Sequence, residues 1–164
     1  MDLDATDLRL LDLLQGDASL SNLELAERAH TSPATALRRV RRLVDAGVID
    51  RRVALLNPHR IGAGLTAVVE ITLDRQGAEH VDAFEQRAAA EVAVQQVWRV
   101  SPGPDFVLLV HSADMAAYHA LVQRLFTQDA NVRNVKAYFS VKRAKFDPRI
   151  DLAAFSLTSR SPAP

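Results

Sequence analysis

The stretch TSPATALRRVRRLVDAG at residues 31–47 limits the possible folds of this chain more than any other. It predicts one helix with both ends marked. Ser32 can cap the N-terminus, and Pro33 suits the first helical position because its missing N–H group would have no partner there. Gly47 follows the last apolar residue and suits a left-handed stop. We therefore expect a helix that begins after Ser32 and ends before Gly47.

The predicted helix has an apolar side and a basic side. At about 100° per residue, its apolar side chains fall within an arc of about 120°. They are Ala36, Leu37, Val40, Leu43 and Val44. Arg41 lies nearer this arc and is expected to pair with an acid of an earlier helix.

A helix with an apolar side and a basic side suits insertion into a DNA groove, and a solvated basic face is the alternative. The candidate contacts to bases or phosphates are Thr35, Arg38, Arg39 and Arg42, together with Ser32, which is chiefly a cap.

Charge is distributed unevenly along a chain whose total is neutral, with 20 basic and 20 acidic residues. Residues 1–37 carry seven acids and two bases, a net charge of −5, whereas residues 38–60 carry seven arginines and two aspartates, a net charge of +5. The neutral total argues against a wholly basic nucleic-acid binder. The positive segment lies on and just after the arginine-rich helix, where a DNA contact would place it.

Two helices are predicted before the arginine-rich one. Asp4 can cap the first, and the stretch SNLE at residues 21–24 matches a capping box that opens the second. A short turn then leads into the third helix, which is the helix-turn-helix arrangement. Residues 48–56 are rich in β-branched side chains and predict a strand, which we interpret as a small wing. Its Arg51 and Arg52 are candidate phosphate contacts.

The second half of the chain alternates strands and helices. Strands are predicted over residues 65–73, 92–100, 106–110 and 135–141, and helices over residues 78–90 and 115–126. The order β-α-β-β-α-β is that of a ferredoxin-like domain, so the predicted fold class is α+β. Turn residues at 57–64 mark a boundary. The predicted domains are a winged helix-turn-helix at 1–60, a ferredoxin-like domain at 61–150 and a tail at 151–164.

Two predicted strands of the second domain contain the nearly continuous apolar runs AVVEI and FVLLV. This pattern is typical of strands that are buried on both faces of a sheet. Two helices can cover only one face of a four-stranded sheet. A second copy of the sheet is the expected cover, and the chain is therefore predicted to form a homodimer.

The sequence gives no support to several other classes of site. The chain has no cysteines, which excludes disulfides and thiolate sites, and its five histidines show no metal-binding spacing. It has no glycine-rich phosphate loop and no nucleophile motif, so we expect no cofactor, no metal and no catalytic residue. No apolar run approaches the roughly 20 residues of a membrane span, and the acidic N-terminus is unlike a signal peptide. The expected location is the cytoplasm, with no membrane partner.

In their order and spacing, four stretches of the chain resemble the Lrp/AsnC family of bacterial and archaeal regulators. They are LDATDLRLLDLLQGDASLSNLELAERA from residue 3, SPATALRRVRRLVDAGVI from residue 32, ALLNP from residue 54 and VVEITL from residue 68. The resemblance implies a winged helix-turn-helix and a ferredoxin-like domain for ligand binding and oligomerisation. It implies double-stranded DNA and an amino acid or other small metabolite as partners, and dimers that often associate into octamers.

Two departures from the family pattern affect these expectations. His30 stands where the family usually has a glycine in the turn, although histidine tolerates a positive φ better than most residues. Pro102 and Gly103 stand where the family has a glycine and an acidic residue, in a loop that lines the effector site in many members. The resemblance makes Ser101, Gly103 and Asp105 the candidate effector contacts. Asp105 could receive an effector amine or simply close the turn, and both readings are open.

An enzyme on the same scaffold is the alternative function, since sirohaem decarboxylases are similar to this family in both domains. Such an enzyme needs cationic and histidine side chains along a tetrapyrrole cleft, and it need not keep an arginine-rich third helix. The arginine-rich helix and the lack of a histidine cluster in the sequence favour a sequence-specific DNA-binding transcription regulator.

Overall fold

The computed structural model describes residues 2–61 and 64–153, which divide into two units. The first contains residues 2–55 and 145–153, and the second contains residues 56–61 and 64–144. The sequence-based division instead assigns residues 56–60 to the first domain and residues 145–150 to the second, and it stays a prediction. From residue 154 onward, the predicted tail lies outside the described residues.

Capping side chains set where the three helices of the first unit begin. The helices are α1 (Ala5–Gly16), α2 (Asn22–Arg28) and α3 (Pro33–Asp45). The Oδ1 atom of Asp4 accepts the N–H groups of Thr6 and Asp7, each at 2.9 Å. The Ser32 hydroxyl accepts the N–H group of Thr35 at 3.2 Å, and the predicted capping box opens α2. These caps confirm the predicted helix starts.

Residues with positive φ end α2 and α3. His30 adopts φ +54°, and the N–H group of Thr31 bonds the carbonyl oxygen of Ala26 at 2.9 Å, as in a Schellman motif. Gly47 adopts φ +69° after α3, where the equivalent bond forms. The turn between α2 and α3 is therefore kept with histidine in a left-handed conformation, and the predicted glycine stop after α3 is confirmed.

The three helices enclose a small apolar core. Its buried members are Leu10, Leu25, Ala26, Ala29, Ala36 and Val40. Ile49 packs against this core after α3, and its N–H group bonds the carbonyl oxygen of Leu43 at 3.2 Å. The strand predicted over residues 48–56 does not form, so that prediction was wrong. A strand needs a neighbouring strand to receive its backbone N–H and C=O groups, whereas residues 50–56 are exposed to solvent.

Residues 145–153 return to the first unit beside the end of α1. The side-chain amide of Gln15 bonds both backbone groups of Ile150: it donates to the carbonyl oxygen at 3.1 Å and accepts the N–H group at 2.7 Å. Nearby, Arg149 and Asp147 form an ion pair at 2.8 Å. The segment is thus fixed to α1 through its backbone.

The second unit is a four-stranded antiparallel sheet with two helices packed on one face. Its elements are β1 (Leu65–Leu73), α4 (Ala78–Ala90), β2 (Val94–Arg99), β3 (Phe106–Ser112), α5 (Met115–Val122) and β4 (Val132–Phe139). The strand order is β2-β3-β1-β4. This arrangement confirms the predicted ferredoxin-like α+β domain. Several bounds differ from the prediction: a π-helical turn over Gln123–Thr127 continues α5, β2 is shorter, β3 is two residues longer, and β4 begins three residues earlier and ends two residues earlier.

The two faces of the sheet differ in what covers them. The face beneath the helices is buried and carries Ala67, Val69, Ile71, Phe106, Leu108 and Val110. The strand registers place the alternate side chains on the opposite face, which we call the outer sheet face. Its members include Val68 and Glu70 from β1, Trp98 from β2, Val107 and Leu109 from β3, and Lys136 and Tyr138 from β4. Trp98 and Tyr138 are 56% and 52% exposed.

Candidate nucleic-acid interface and effector loop

Three buried side chains, Ala36, Val40 and Leu43, anchor α3 in the first unit. At about 100° per residue, they lie within about 60° of one another around the helix axis. Leu37 and Val44, which the sequence placed in the same apolar arc, are instead 49% and 45% exposed. The apolar side of α3 is therefore narrower than predicted, and its outward surface is wider.

Carboxylates at the start of α1 hold two of the arginines predicted to contact DNA. Nη1 of Arg39 lies 2.9 Å from Oδ1 of Asp7 and 2.7 Å from Oδ2 of Asp4. Nη2 of Arg42 lies 2.6 Å from Oδ2 of Asp7. The Asp7 side chain is 1% exposed, and a buried carboxylate requires such partners. These four residues, which we call the Asp7 cluster, join α3 to α1.

Arg38 and Arg41 have the opposite environment. Both are exposed, and within the described ranges neither makes a hydrogen bond or an ion pair. The prediction that Arg41 pairs with an acid of an earlier helix was wrong, because Arg39 and Arg42 make those pairs. On a helical wheel, Arg38 and Arg41 lie about 160° and 140° from Ala36, which is the outward side. Helical spacing in the sequence already places Arg41 on the outward side, but the apolar arc assumed from the sequence was too wide for this direction to be recognised.

The remaining candidates lie on either side of these arginines. Ser32 is exposed, and its hydroxyl donates to Oγ1 of Thr35 at 2.8 Å while it caps α3. Arg51 lies 3.3 Å from Asp50, with both side chains largely exposed. Arg52 is exposed in the same irregular segment. The structure thus places Ser32 at the N-cap of α3, Thr35 and Arg38 on the first half of that helix, and Arg51 and Arg52 on the segment that follows it.

The pKa of Asp4 is lowered from 3.8 to about 2, mainly because its carboxylate accepts the backbone N–H group of Asp7 and, next, a hydrogen bond from Arg39. A carboxyl whose pKa is lower in the folded state stabilises the fold fully above its unfolded pKa, and that contribution disappears as pH falls towards the folded pKa. Asp4→Asn keeps an oxygen for the cap but has no charge to lose. We expect the wild-type chain to exceed this variant in free energy of unfolding at about pH 5, and the difference to shrink by about pH 3. Urea unfolding at both pH values measures this, and a difference independent of pH would show that the Asp4 charge has no such role.

The candidate effector loop connects β2 to β3. Ser101 and Gly103 are exposed, and Gly103 adopts φ +127°, a conformation that favours glycine. Asp105 points back to β1: its Oδ2 atom accepts the N–H group of Leu73 at 2.6 Å, and its own N–H group bonds the carbonyl oxygen of Ile71 at 2.8 Å. The Asp105 side chain is therefore bonded to β1, whereas the loop is closed by the main chain, where the N–H group of Val100 bonds the carbonyl oxygen of Asp105 at 3.1 Å. Contact with an effector stays a prediction for all three candidates.

Residues 2–61 and 64–153 contain neither a group of metal-ligating side chains nor a helix fit to span a membrane. Within these ranges, no three side chains of histidine, aspartate or glutamate are grouped as metal ligands would be. No helix in this part of the chain is both long enough and apolar enough to cross a membrane. The candidate sites are thus the outward surface of α3 and the loop between β2 and β3.

Comparison with known proteins assigns each half of the chain to a family. Residues 3–50 match the winged helix-turn-helix DNA-binding domain, and residues 66–150 match the Lrp/AsnC ligand binding domain. An uncharacterized HTH-type transcriptional regulator of Haemophilus influenzae is 36% identical over 150 residues, which cover 92% of this chain and 89% of that protein. A leucine-responsive regulatory protein of Rhizobium meliloti is 36% identical over 145 residues, which cover 88% and 93% of the two chains.

Solved structures agree with these matches. A transcriptional regulator of Neisseria meningitidis, in complex with L-methionine, superposes with a TM-score of 0.86 at 28% identity, covering 94% of this chain and 99% of the other. The two matched domains occur in the order predicted from the sequence, and the relatives are named as regulators rather than as enzymes. This chain is therefore a DNA-binding transcription regulator that belongs to the Lrp/AsnC family.

Proposed function

We propose that the chain binds double-stranded DNA in a sequence-specific manner through α3, with Arg38 as a principal contact to base edges. The environment of Arg38 carries this proposal: the side chain is exposed, lacks a partner among the described residues and lies opposite the buried Ala36. In helix-turn-helix proteins, the N-terminal part of the recognition helix meets the bases. Arg38 lies in that part of α3, with Ser32 and Thr35 nearer the helix start.

The other arginine candidates receive different proposed roles. Arg39 and Arg42 already bond Asp7, so we assign them to positioning α3, with at most a phosphate contact from their remaining N–H groups. Arg51 and Arg52 lie on an exposed, irregular segment, where they can meet phosphates without reading sequence. Base recognition would then depend on only some of the seven arginines in residues 38–60.

DNA binding can be tested by fluorescence anisotropy with the duplex upstream of the chain's own coding region, competed by a scrambled duplex. Arg38→Ala should weaken specific binding by about 1–3 kcal/mol if Arg38 reads a base. Arg42→Ala should weaken it less, because Asp7 already binds that side chain. Arg75→Ala removes the same charge from an exposed loop of the second unit and should leave the Kd unchanged. If Arg38→Ala binds with the wild-type affinity and salt dependence, the proposed base contact does not exist.

We also propose that the protein acts in the cytoplasm as a homodimer joined through the outer sheet face, and that dimers can associate into octamers as the family implies. Trp98, Val68 and Tyr138 are exposed together on this face. Exposed apolar patches containing aromatic residues are typical of interfaces. We assign no catalytic role to the chain, since its relatives are transcription regulators.

A small-molecule effector is the third part of the proposal. The Neisseria regulator was solved with L-methionine, and we propose that the loop at 101–105 contacts an amino acid or a related metabolite in this chain. Asp105 already accepts the N–H group of Leu73, and Pro102 and Pro104 have no N–H group to offer a carboxylate. Common amino acids should therefore bind weakly, or a ligand that needs fewer backbone donors should be preferred.

Asp105→Asn separates the two roles of this side chain. The amide keeps an oxygen for the N–H group of Leu73 but lacks the charge that attracts an ammonium group. In calorimetry with a panel of amino acids, the wild-type chain should bind weakly or not at all, and any heat of binding should vanish in Asp105→Asn. Asp74→Asn, which alters a neighbouring exposed carboxylate, is the matched control. Tight binding of a common amino acid that persists in Asp105→Asn would refute the assigned role.

A further inference from the structure

The outward surface of α3 carries a large apolar side chain next to charged ones. Leu37 is 49% exposed, and the core of the first unit does not include it. It lines a shallow surface depression together with Ala34, Arg38, Arg41, Arg42 and Asp45. A single exposed leucine is ordinary in itself. Its position beside two exposed arginines that have no partner among the described residues is what requires an explanation.

The chemistry of this depression matches the edges of base pairs in the major groove. Arginine bonds O6 and N7 of guanine there, and the 5-methyl group of thymine provides an apolar contact. Ala34, one turn before Leu37, is small enough for a base edge to approach closely. Asp45 lies at the opposite end of the same depression and repels phosphate there, which favours contact through the part that Leu37, Arg38 and Arg41 line.

Resting on the proposed binding of DNA by α3, we propose that Leu37 reads the 5-methyl group of a thymine, while Arg38 and Arg41 contact guanines beside it. Leu37 is thereby a specificity-determining residue rather than a core residue. Arg41 gains a role that the sequence pattern did not suggest. The recognised sequence in each half-site contains a thymine whose methyl group faces the major groove, flanked by guanine.

The experiment removes the methyl group from the DNA and its partner from the protein. The full chain first selects duplexes from a randomised library. Each thymine of the selected site is then replaced singly by deoxyuridine, which keeps base pairing and lacks only the methyl group. At one thymine of a half-site, the replacement should weaken wild-type binding about fourfold, the effect of burying one methyl-sized group. Leu37→Ala should bind the two duplexes equally at that position.

The matched control is Val44→Ala, which shortens another exposed apolar side chain near the C-terminal end of α3. It should retain the fourfold difference, and thermal unfolding should show that both variants fold as the wild-type chain does. A repeated selection with Arg41→Ala should lose the preference for one guanine. The inference fails if no thymine shows a methyl effect, or if Leu37→Ala keeps that effect. If the wild-type chain selects no sequence at all, the proposed DNA binding itself fails.

Discussion

The variant Leu109→Glu should be a monomer at micromolar concentration, where the wild-type chain is expected to be a dimer. Leu109 lies in the central strand β3 on the outer sheet face, directly opposite Val68 of β1. In a twofold dimer the substitution occurs twice in one interface. Each buried carboxylate without a partner costs several kcal/mol, so the dissociation constant should rise by about 1,000-fold or more. Sedimentation velocity over a concentration series measures this change.

The control for this prediction is Val92→Glu, in the turn between α4 and β2, where the side chain is 98% exposed. It introduces the same charge away from the outer sheet face and should remain dimeric. Because Leu109 is partly exposed within one protomer, the variant should fold, and circular dichroism can verify this. A wild-type monomer, or a Leu109→Glu dimer as stable as the wild type, would show that the outer sheet face is not the interface.

Asp7→Ala should lower the free energy of unfolding by about 2–3 kcal/mol. The substitution removes a buried carboxylate that bonds two arginines, and it also removes the reciprocal bond of the α1 capping box to the N–H group of Asp4. Breaking a fully buried ion pair costs about 3–5 kcal/mol. We expect less here because Arg39 and Arg42 are partly exposed and can turn towards solvent. Urea unfolding at neutral pH provides the measurement.

Asp12→Ala removes an exposed acid from the same helix and should change stability by less than about 0.5 kcal/mol. Asp7→Asn should fall between the two variants, since the amide keeps an oxygen acceptor but not the charge. A loss in Asp7→Ala as small as that in Asp12→Ala would mean that the Asp7 cluster does not hold α3 to α1.

Helix starts and stops could be predicted because each depends on a few consecutive residues. The caps at Asp4, Ser21 and Ser32 bond N–H groups two or three residues ahead. The positive φ values at His30 and Gly47 close turns within five residues. The same reasoning explains why β1 and α4 match their predicted bounds, since alternation and helical periodicity are properties of short windows.

The partners of the arginines could not be predicted in this way. Arg39 and Arg42 bond an acid 32 and 35 residues earlier in the chain, and which arginine meets it depends on how α1 packs across α3. Helical periodicity gave the direction of each side chain of α3 only relative to an assumed apolar arc. The burial of Ala36, Val40 and Leu43 shows which side of the helix faces the core, and Leu37 and Arg41 lie on the side that faces outward.

The amino-acid sequence alone was enough to predict the three helices of the first unit, the order of elements in the second unit, the caps and the position of the positive charge, because these depend on neighbouring residues. The packed fold was needed to show which of the charges are already paired, that residues 48–56 lack a strand neighbour, and that Asp105 is bonded to β1. Those outcomes depend on groups distant in sequence that meet only when the elements pack. The sequence therefore placed most of the candidate DNA contacts on α3, and the fold separates the arginines of that helix into paired and unpaired ones.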